Sequence, residues 1–200
     1  MKLAKHTREL DRILDAGDGI ITTAGAAEAG VPKDAFYRYV RGKGLERLSH
    51  GVYRAAGAAP DELALLQERF PKAVLSHDTA LFLHGLSERE PIPLSVSVPS
   101  SYNSPALRDQ GVRIHYVKPE WHGMGVCEIR TPEGNAVRAY DMERTMCDIV
   151  RRRSKADVAE FNHAARTYAA SKDRNLARLS EYARAMGMES RVWEALGVLL

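Results

Sequence analysis

Cysteine is nearly absent: two residues in 200, Cys127 and Cys147. Two thiols make no disulfide framework and supply no cysteine-based zinc site, and such sparing use fits a reducing cytoplasm. Long apolar runs are missing as well. No stretch approaches the ~18 uncharged apolar residues that a membrane span requires. Residues 1–14 mix charges with isolated leucines where a secretory leader carries a continuous apolar segment. Neither G-x-x-x-x-G-K nor G-x-G-x-x-G occurs, and Gly42-Lys43-Gly44 reads as a turn, so no phosphate-cradling loop is expected. Internal repeats and low-complexity tails are also lacking. What is there, 44% hydrophobic and 28% charged residues, is the make-up of a globular cytosolic protein with room for one large domain or two small ones.

The net charge of +3 is unevenly spread. Residues 1–57 carry 10 Lys/Arg against 7 Asp/Glu, residues 58–139 carry 8 against 10, and residues 140–200 carry 11 against 9. Within residues 31–57, Lys33, Arg38, Arg41, Lys43, Arg47 and Arg54 face only Asp34 and Glu46. A local cationic excess of this kind points to a polyanionic partner.

Leu3, Thr7, Leu10, Ile13 and Leu14 recur at helical spacing and predict a first helix over residues 3–15, stopped by Gly17 and Gly19. After the apolar step Ile20-Ile21, Thr22 is a good N-cap for an alanine-rich helix over 23–29, closed by Gly30. Pro32 suits the first position of a third helix reaching Val40 or Arg41, with Gly42 and Gly44 ending it. Residues 45–48 and 51–54 then read as two strands joined around Ser49-His50-Gly51.

Two helices, a tight turn, a third helix and a basic hairpin are the order of a winged helix-turn-helix. At about 100° per residue, Phe36, Tyr39 and Val40 share one face of the third helix. Lys33, Asp34, Tyr37, Arg38 and Arg41 occupy the other, the residue set expected of a helix lying in a DNA major groove. Lys33, Arg38 and Arg41 are the candidates for groove and phosphate contacts, Tyr37 and Asp34 for refining base choice. Lys43 in the following turn, with Arg47 and Arg54 of the hairpin, is placed to hold the flanking backbone. The competing reading is an ordinary amphipathic surface helix with a solvated polar face. One such domain has a small footprint, ~600–1,000 Å², so useful affinity calls for two copies on paired half-sites.

The run 55–59, ending at Pro60, is the expected linker between residues 1–57 and a second domain over 60–200. There Asp61 caps a helix over 62–70, Ser76 opens one closed by Gly85, and Asp141 caps one through Arg152 that buries Thr145, Met146, Ile149 and Val150. Strands are expected over 94–98, 112–117 and 125–130, a loop over 99–105, and helices over 155–170, 175–185 and 190–199. The fold class is therefore α+β: an N-terminal winged helix-turn-helix, then a mixed α+β domain with a small sheet and a helical C-terminal end.

The segment Gly44-Leu-Glu-Arg-Leu-Ser-His-Gly-Val-Tyr53 resembles the wing of AbiEi antitoxins of type IV toxin–antitoxin (abortive infection) systems. Leu75-Ser-His-Asp-Thr-Ala-Leu-Phe-Leu-His-Gly-Leu86 is similar to the block that follows the wing there. Tyr140-Asp-Met-Glu-Arg-Thr-Met-Cys-Asp148 is similar to their "ERT-x-x-D" helix. The three blocks stand in family order over roughly residues 5–150. The resemblance implies a winged-helix repressor acting on inverted repeats in its own promoter. It also implies a C-terminal domain that counteracts a nucleotidyltransferase-like toxin. Taken with the composition, no enzymatic activity, no cofactor and no membrane partner are expected.

Other residues admit chemistry but carry simpler readings. Contiguous Ser76-His77-Asp78 cannot form a triad, because neighbours on a helix point about 100° apart; Ser76 reads as an N-cap and His77 as a polar residue fixing helix to sheet. His77 and His84 share a spacing of one helix face, but with His115 and His122 elsewhere they lack recognisable zinc spacing. Arg144 and Asp148 read as a helical ion pair of a few tenths of a kcal/mol. Arg144, Arg151, Arg152 and Arg153 form a candidate second anionic or partner contact, or a C-terminal cationic turn complementing the helix dipole. Two alternatives remain open at this level. One is a standalone winged-helix transcription factor with a ligand-sensing second domain. The other is a nucleic-acid-processing enzyme, for which clustered strand acids would be needed; Glu128 is the only one.

Overall fold

The computed structural model describes residues 2–17, 19–49, 51–55, 61–153 and 157–200. Contacts divide the chain into two units, Met1–Leu65 with Arg130–Ala136, and Leu66–Ile129 with Val137–Leu200. His50, most of the expected linker and Lys155 fall outside the described residues. The fold is mixed α+β.

In the first unit the order is α1 (Lys2–Ala16), β1 (Ile20–Thr22), α2 (Thr23–Glu28), α3 (Lys33–Lys43), β2 (Glu46–Ser49) and β3 (Val52–Arg54). The strands form an antiparallel sheet in the order β1-β3-β2. Leu10 and Leu14 of α1, Ala26 of α2, and Phe36, Tyr39 and Val40 of α3 pack with Ile21 and Tyr53 into one core. Full burial of a side chain such as Phe36 contributes about 1.5–3 kcal/mol. Thr22 caps α2 as expected, its hydroxyl accepting from the Gly25 amide at 2.9 Å.

Three local details differ from the sequence reading. The step Ile20-Ile21 is a strand, held by pairing to β3 (Ile21 opposite Tyr53) rather than by any pattern in its three residues. Pro32 is the residue before α3, in extended conformation, not its first turn. Gly42 lies inside the helix; Gly44 ends it with φ 65°. The Gly44 amide donates to the Arg41 carbonyl and the Leu45 amide to Val40, the double closure that a left-handed glycine permits.

The division between units falls within α4 (Glu62–Arg69). The remaining elements are β4 (Val74–Leu75), α5 (His77–Leu83), β5 (Ser95–Pro99), α6 (Pro105–Arg108), β6 (Arg113–Val117), α7 (Pro119–His122), β7 (Val126–Arg130), β8 (Ala136–Tyr140), α8 (Met142–Arg152), α9 (Val158–Ala170), α10 (Leu176–Ala185) and α11 (Glu189–Leu196). The sheet runs β6-β5-β4-β8-β7, antiparallel at β4–β5 and parallel at β5–β6 and β4–β8. Sequence reading missed β4 and β8, which occupy its middle, and the one-turn helices α6 and α7. The Gln67 carboxamide accepts from the Arg138 amide at 2.7 Å and donates to the carbonyls of Ala73, at 3.1 Å, and Arg138.

Asp61 and Asp141 cap their helices, accepting from the amides of Ala64 and Arg144. Helix α8 is the spine of the second core. Its Met146, Cys147, Ile149 and Val150 pack with Phe161 and Tyr168 of α9, Leu179 and Ala183 of α10, and Val192 and Leu196 of α11. Among the described residues no helix is long and apolar enough to cross a membrane, and no group of His, Cys, Asp and Glu is arranged to hold a metal ion.

Candidate nucleic-acid interface

Helix α3 divides as its periodicity predicts. Phe36, Tyr39 and Val40 are buried at 1%, 7% and 6% exposure, while Lys33, Asp34, Arg38 and Arg41 are exposed. Lys33 and Arg41 form no hydrogen bond or ion pair with any described residue, so their charges are available to a phosphate. Arg38 is committed locally: its Nη2 lies 3.0 Å from Asp34 Oδ2, one turn back, in an exposed pair worth a few tenths of a kcal/mol. Tyr37 is half-buried, its ring edge-on to Phe36 at 5.5 Å and to Tyr53 at 6.2 Å, so it carries the outer face onto the hairpin.

Lys43 is anchored to α1. Its Nζ lies 2.8 Å from Asp11 Oδ1, the same oxygen that receives the Tyr39 hydroxyl at 2.8 Å. The bonds from Lys43 and Tyr39 hold the Asp11 carboxyl below the usual carboxylate range. Burial, then Asp11, pushes the Tyr39 phenol well up. In the hairpin, Arg54 Nη2 reaches Glu46 Oε2 at 2.7 Å across directly paired residues. Arg47 is exposed on β2, in register with Tyr53. The eight candidates therefore sit on α3 and the hairpin after it, but among them Arg38, Lys43 and Arg54 already have a carboxylate.

The second candidate group is dispersed. Arg144 is a correction: it is wholly buried, not a surface contact. Its Nε donates to Asp148 Oδ2 at 3.2 Å and its Nη1 to the carbonyls of Trp121, at 2.5 Å, and Met124, at 3.1 Å. The guanidinium lies over the Tyr140 ring, 4.2 Å from its centroid. The pair with Asp148 is therefore a core interaction, not the exposed i,i+4 pair its spacing suggested; burial pushes Asp148 up to about 6 despite Arg144. Arg151 donates to the Met186 carbonyl at 2.9 Å, Arg152 lies 3.3 Å from His115 Nε2, and Arg153 covers the Phe161 ring.

Ser76 and His77 meet side by side, while Asp78 points away to another partner. Ser76 occupies the N-cap position of α5 as expected but makes no side-chain cap bond; its hydroxyl accepts from Ser97 at 2.9 Å and lies 3.1 Å from His77 Nδ1. Asp78 pairs with Arg113 at 2.6 Å. His84 and His122 face backbone carbonyls of Tyr140 and Lys72. His77 adopts φ 51°, a left-handed conformation costing a non-glycine residue about 1–3 kcal/mol. Its buried ring stacks on His115, centroids 3.5 Å apart. Nothing in the local pattern of either segment signals this stack, since the pairing of β5 with β6 creates it.

Helix α3 thus has a buried aromatic face and an exposed one carrying Lys33, Arg38 and Arg41, and a hairpin with Arg47 and Arg54 follows it. Residues 8–56 match a family model described as transcriptional regulator, AbiEi antitoxin. The resemblance read from the sequence is thus borne out over about a quarter of the chain. Among solved structures, the chain is similar to the RV2827C protein from Mycobacterium tuberculosis. The two are 17% identical, with all of this chain and 76% of that chain covered and a TM-score of 0.58, a likeness of fold. No curated protein matches the chain significantly.

Proposed function

We propose that the first unit is a winged helix-turn-helix that binds double-stranded DNA, and that the protein is an autorepressor and antitoxin of a type IV system. On this reading it works in the cytoplasm without enzymatic activity. The observation that carries the reading is α3, which buries Phe36, Tyr39 and Val40 while leaving Lys33, Asp34, Arg38 and Arg41 exposed. Lys33 and Arg41 neutralise phosphates. Arg38 exchanges Asp34 for a base edge or phosphate on binding. Asp34 and Tyr37 refine base choice, and Lys43, Arg47 and Arg54 flank the groove. The family description of residues 8–56 supports the regulatory and antitoxin roles. Inverted repeats in the promoter would seat two copies, and the 60–200 region would counteract a nucleotidyltransferase-like toxin.

Two experiments test this. Gel-shift titration with the chain's own promoter should show sequence-specific binding that an Arg38→Ala, Arg41→Ala double variant loses; equal binding by both proteins overturns the helix assignment. Co-expression with the product of the adjoining reading frame should show rescue of growth by the full chain. A toxic neighbour that the chain fails to restrain removes the antitoxin half of the reading.

A further inference from the structure

Within the second unit, β6, α7 and α8 line a half-open cavity of about 350 Å³. Its charged lining consists of Lys118, Arg144, Arg151 and Arg152 against a single carboxylate, Asp148, which Arg144 Nε already engages. The imidazoles of His77 and His115 also line it. Burial comes first, and neighbouring arginines add to it, in holding both rings neutral near pH 7. The cationic excess therefore rests on the lysine and arginines alone.

Arg151 and Arg152 lack anionic partners among the described residues. Arg151 donates to the Met186 carbonyl and approaches Met188 Sδ, and Arg152 faces the neutral His115. Lys118 lies 3.9 Å from Glu120 in an exposed pair. Behind them, Arg144 Nη2 is buried, on a side chain with 0% exposure, and has no hydrogen-bond partner among the described residues. A buried charged donor left unmet is costly and rare, and marks a place where a partner is expected.

We infer that this cavity binds the phosphate group of a small phosphorylated molecule, with Arg151 and Arg152 donating to its oxygens and the buried Arg144 guanidinium adding positive charge behind them. Guanidinium groups converging from one helix offer the planar, multiple donors that suit a tetrahedral oxyanion. A carboxylate balances one charge, whereas the lining carries an excess of three; a phosphate dianion fits better. The volume stands at the lower end of small-ligand sites, enough for a compact metabolite and too small for a folded partner.

The test uses the full chain and inorganic phosphate, pyrophosphate and acetate, each at fixed ionic strength, followed by calorimetry and thermal melting. Phosphate and pyrophosphate should bind at one site and raise the melting midpoint in proportion to the logarithm of concentration; acetate should do neither. Arg152→Gln and Lys118→Gln, at partly exposed and exposed positions, should keep the ligand-free midpoint and weaken phosphate binding, Arg152→Gln by about tenfold. Arg166→Gln, on the exposed face of α9 outside the cavity, should bind as the parent does. Equal effects of acetate and phosphate, or unchanged affinity in both cavity variants, overturn the inference. So does a parallel loss of duplex DNA affinity in those variants, which would make a nucleic-acid backbone the source of the phosphate.

Discussion

The rings of His77 and His115 lie nearly parallel, 14° apart in plane and 3.5 Å between centroids. Two stacked imidazoles cannot both be charged, and the structure keeps them neutral. Burial is the first cause for each; for His115 the charges of Arg152 and Arg113 follow, lowering it to about 4, and His77 is held well below 6.5. In the unfolded chain both take up protons near pH 6.5. Their contribution to stability is therefore intact above that pH and lost as pH falls toward 4. Asp148, raised to about 6, has the opposite sign, because its native carboxyl protonates before the unfolded one and offsets one imidazole. Urea unfolding should show a net loss of roughly 1–2 kcal/mol between pH 7 and pH 5. His115→Gln should shrink it.

Tyr39 and Lys43 converge on one oxygen of Asp11, fastening α3 to α1. Tyr39→Phe removes the hydroxyl and leaves the ring in place. It should cost about 1–2 kcal/mol, read as a lower denaturation midpoint.

Arg144 and Asp148 form a buried pair in which neither side chain exceeds 4% exposure. Removing one partner strands the other. Asp148→Ala should destabilise the protein by about 3–5 kcal/mol, far more than loss of the exposed Arg38–Asp34 pair. Denaturant unfolding of Asp148→Ala and Asp34→Ala, side by side, checks the contrast.

For DNA, the salt dependence separates roles. Lys33→Ala and Arg41→Ala should each reduce the slope of log affinity against log salt by about 0.9 without changing the melting midpoint. Asp34→Ala should act the other way, since it releases Arg38 and removes a negative charge from the binding face. Tighter but less selective binding, measured on promoter and scrambled duplexes, is the expected result.

The two faces of α3 were legible because helical periodicity reports directly which side is buried. Thr22, Asp61 and Asp141 were legible for a related reason, as caps act within three residues of themselves. The strands β1, β4 and β8 were not, since two, three or five residues become a strand only through partners elsewhere in the chain. Arg144 shows the same limit at a site. Its i,i+4 spacing to Asp148 is identical in a solvated pair and a buried one. The carbonyls of Trp121 and Met124 that receive it come from a separate part of the chain.

Gln67 gives the sheet something its strands alone do not contain. By offering one acceptor and one donor to Arg138 and a bond to Ala73, its carboxamide imitates a peptide unit, and a two-residue central strand gains an extra rung from a neighbouring helix. Glutamate, of equal length, accepts without donating and would not serve. The span from Gln67 to Ala73 thus behaves as a fixed-length splint: inserting one residue there would shift the borrowed rung out of step while leaving every strand residue intact.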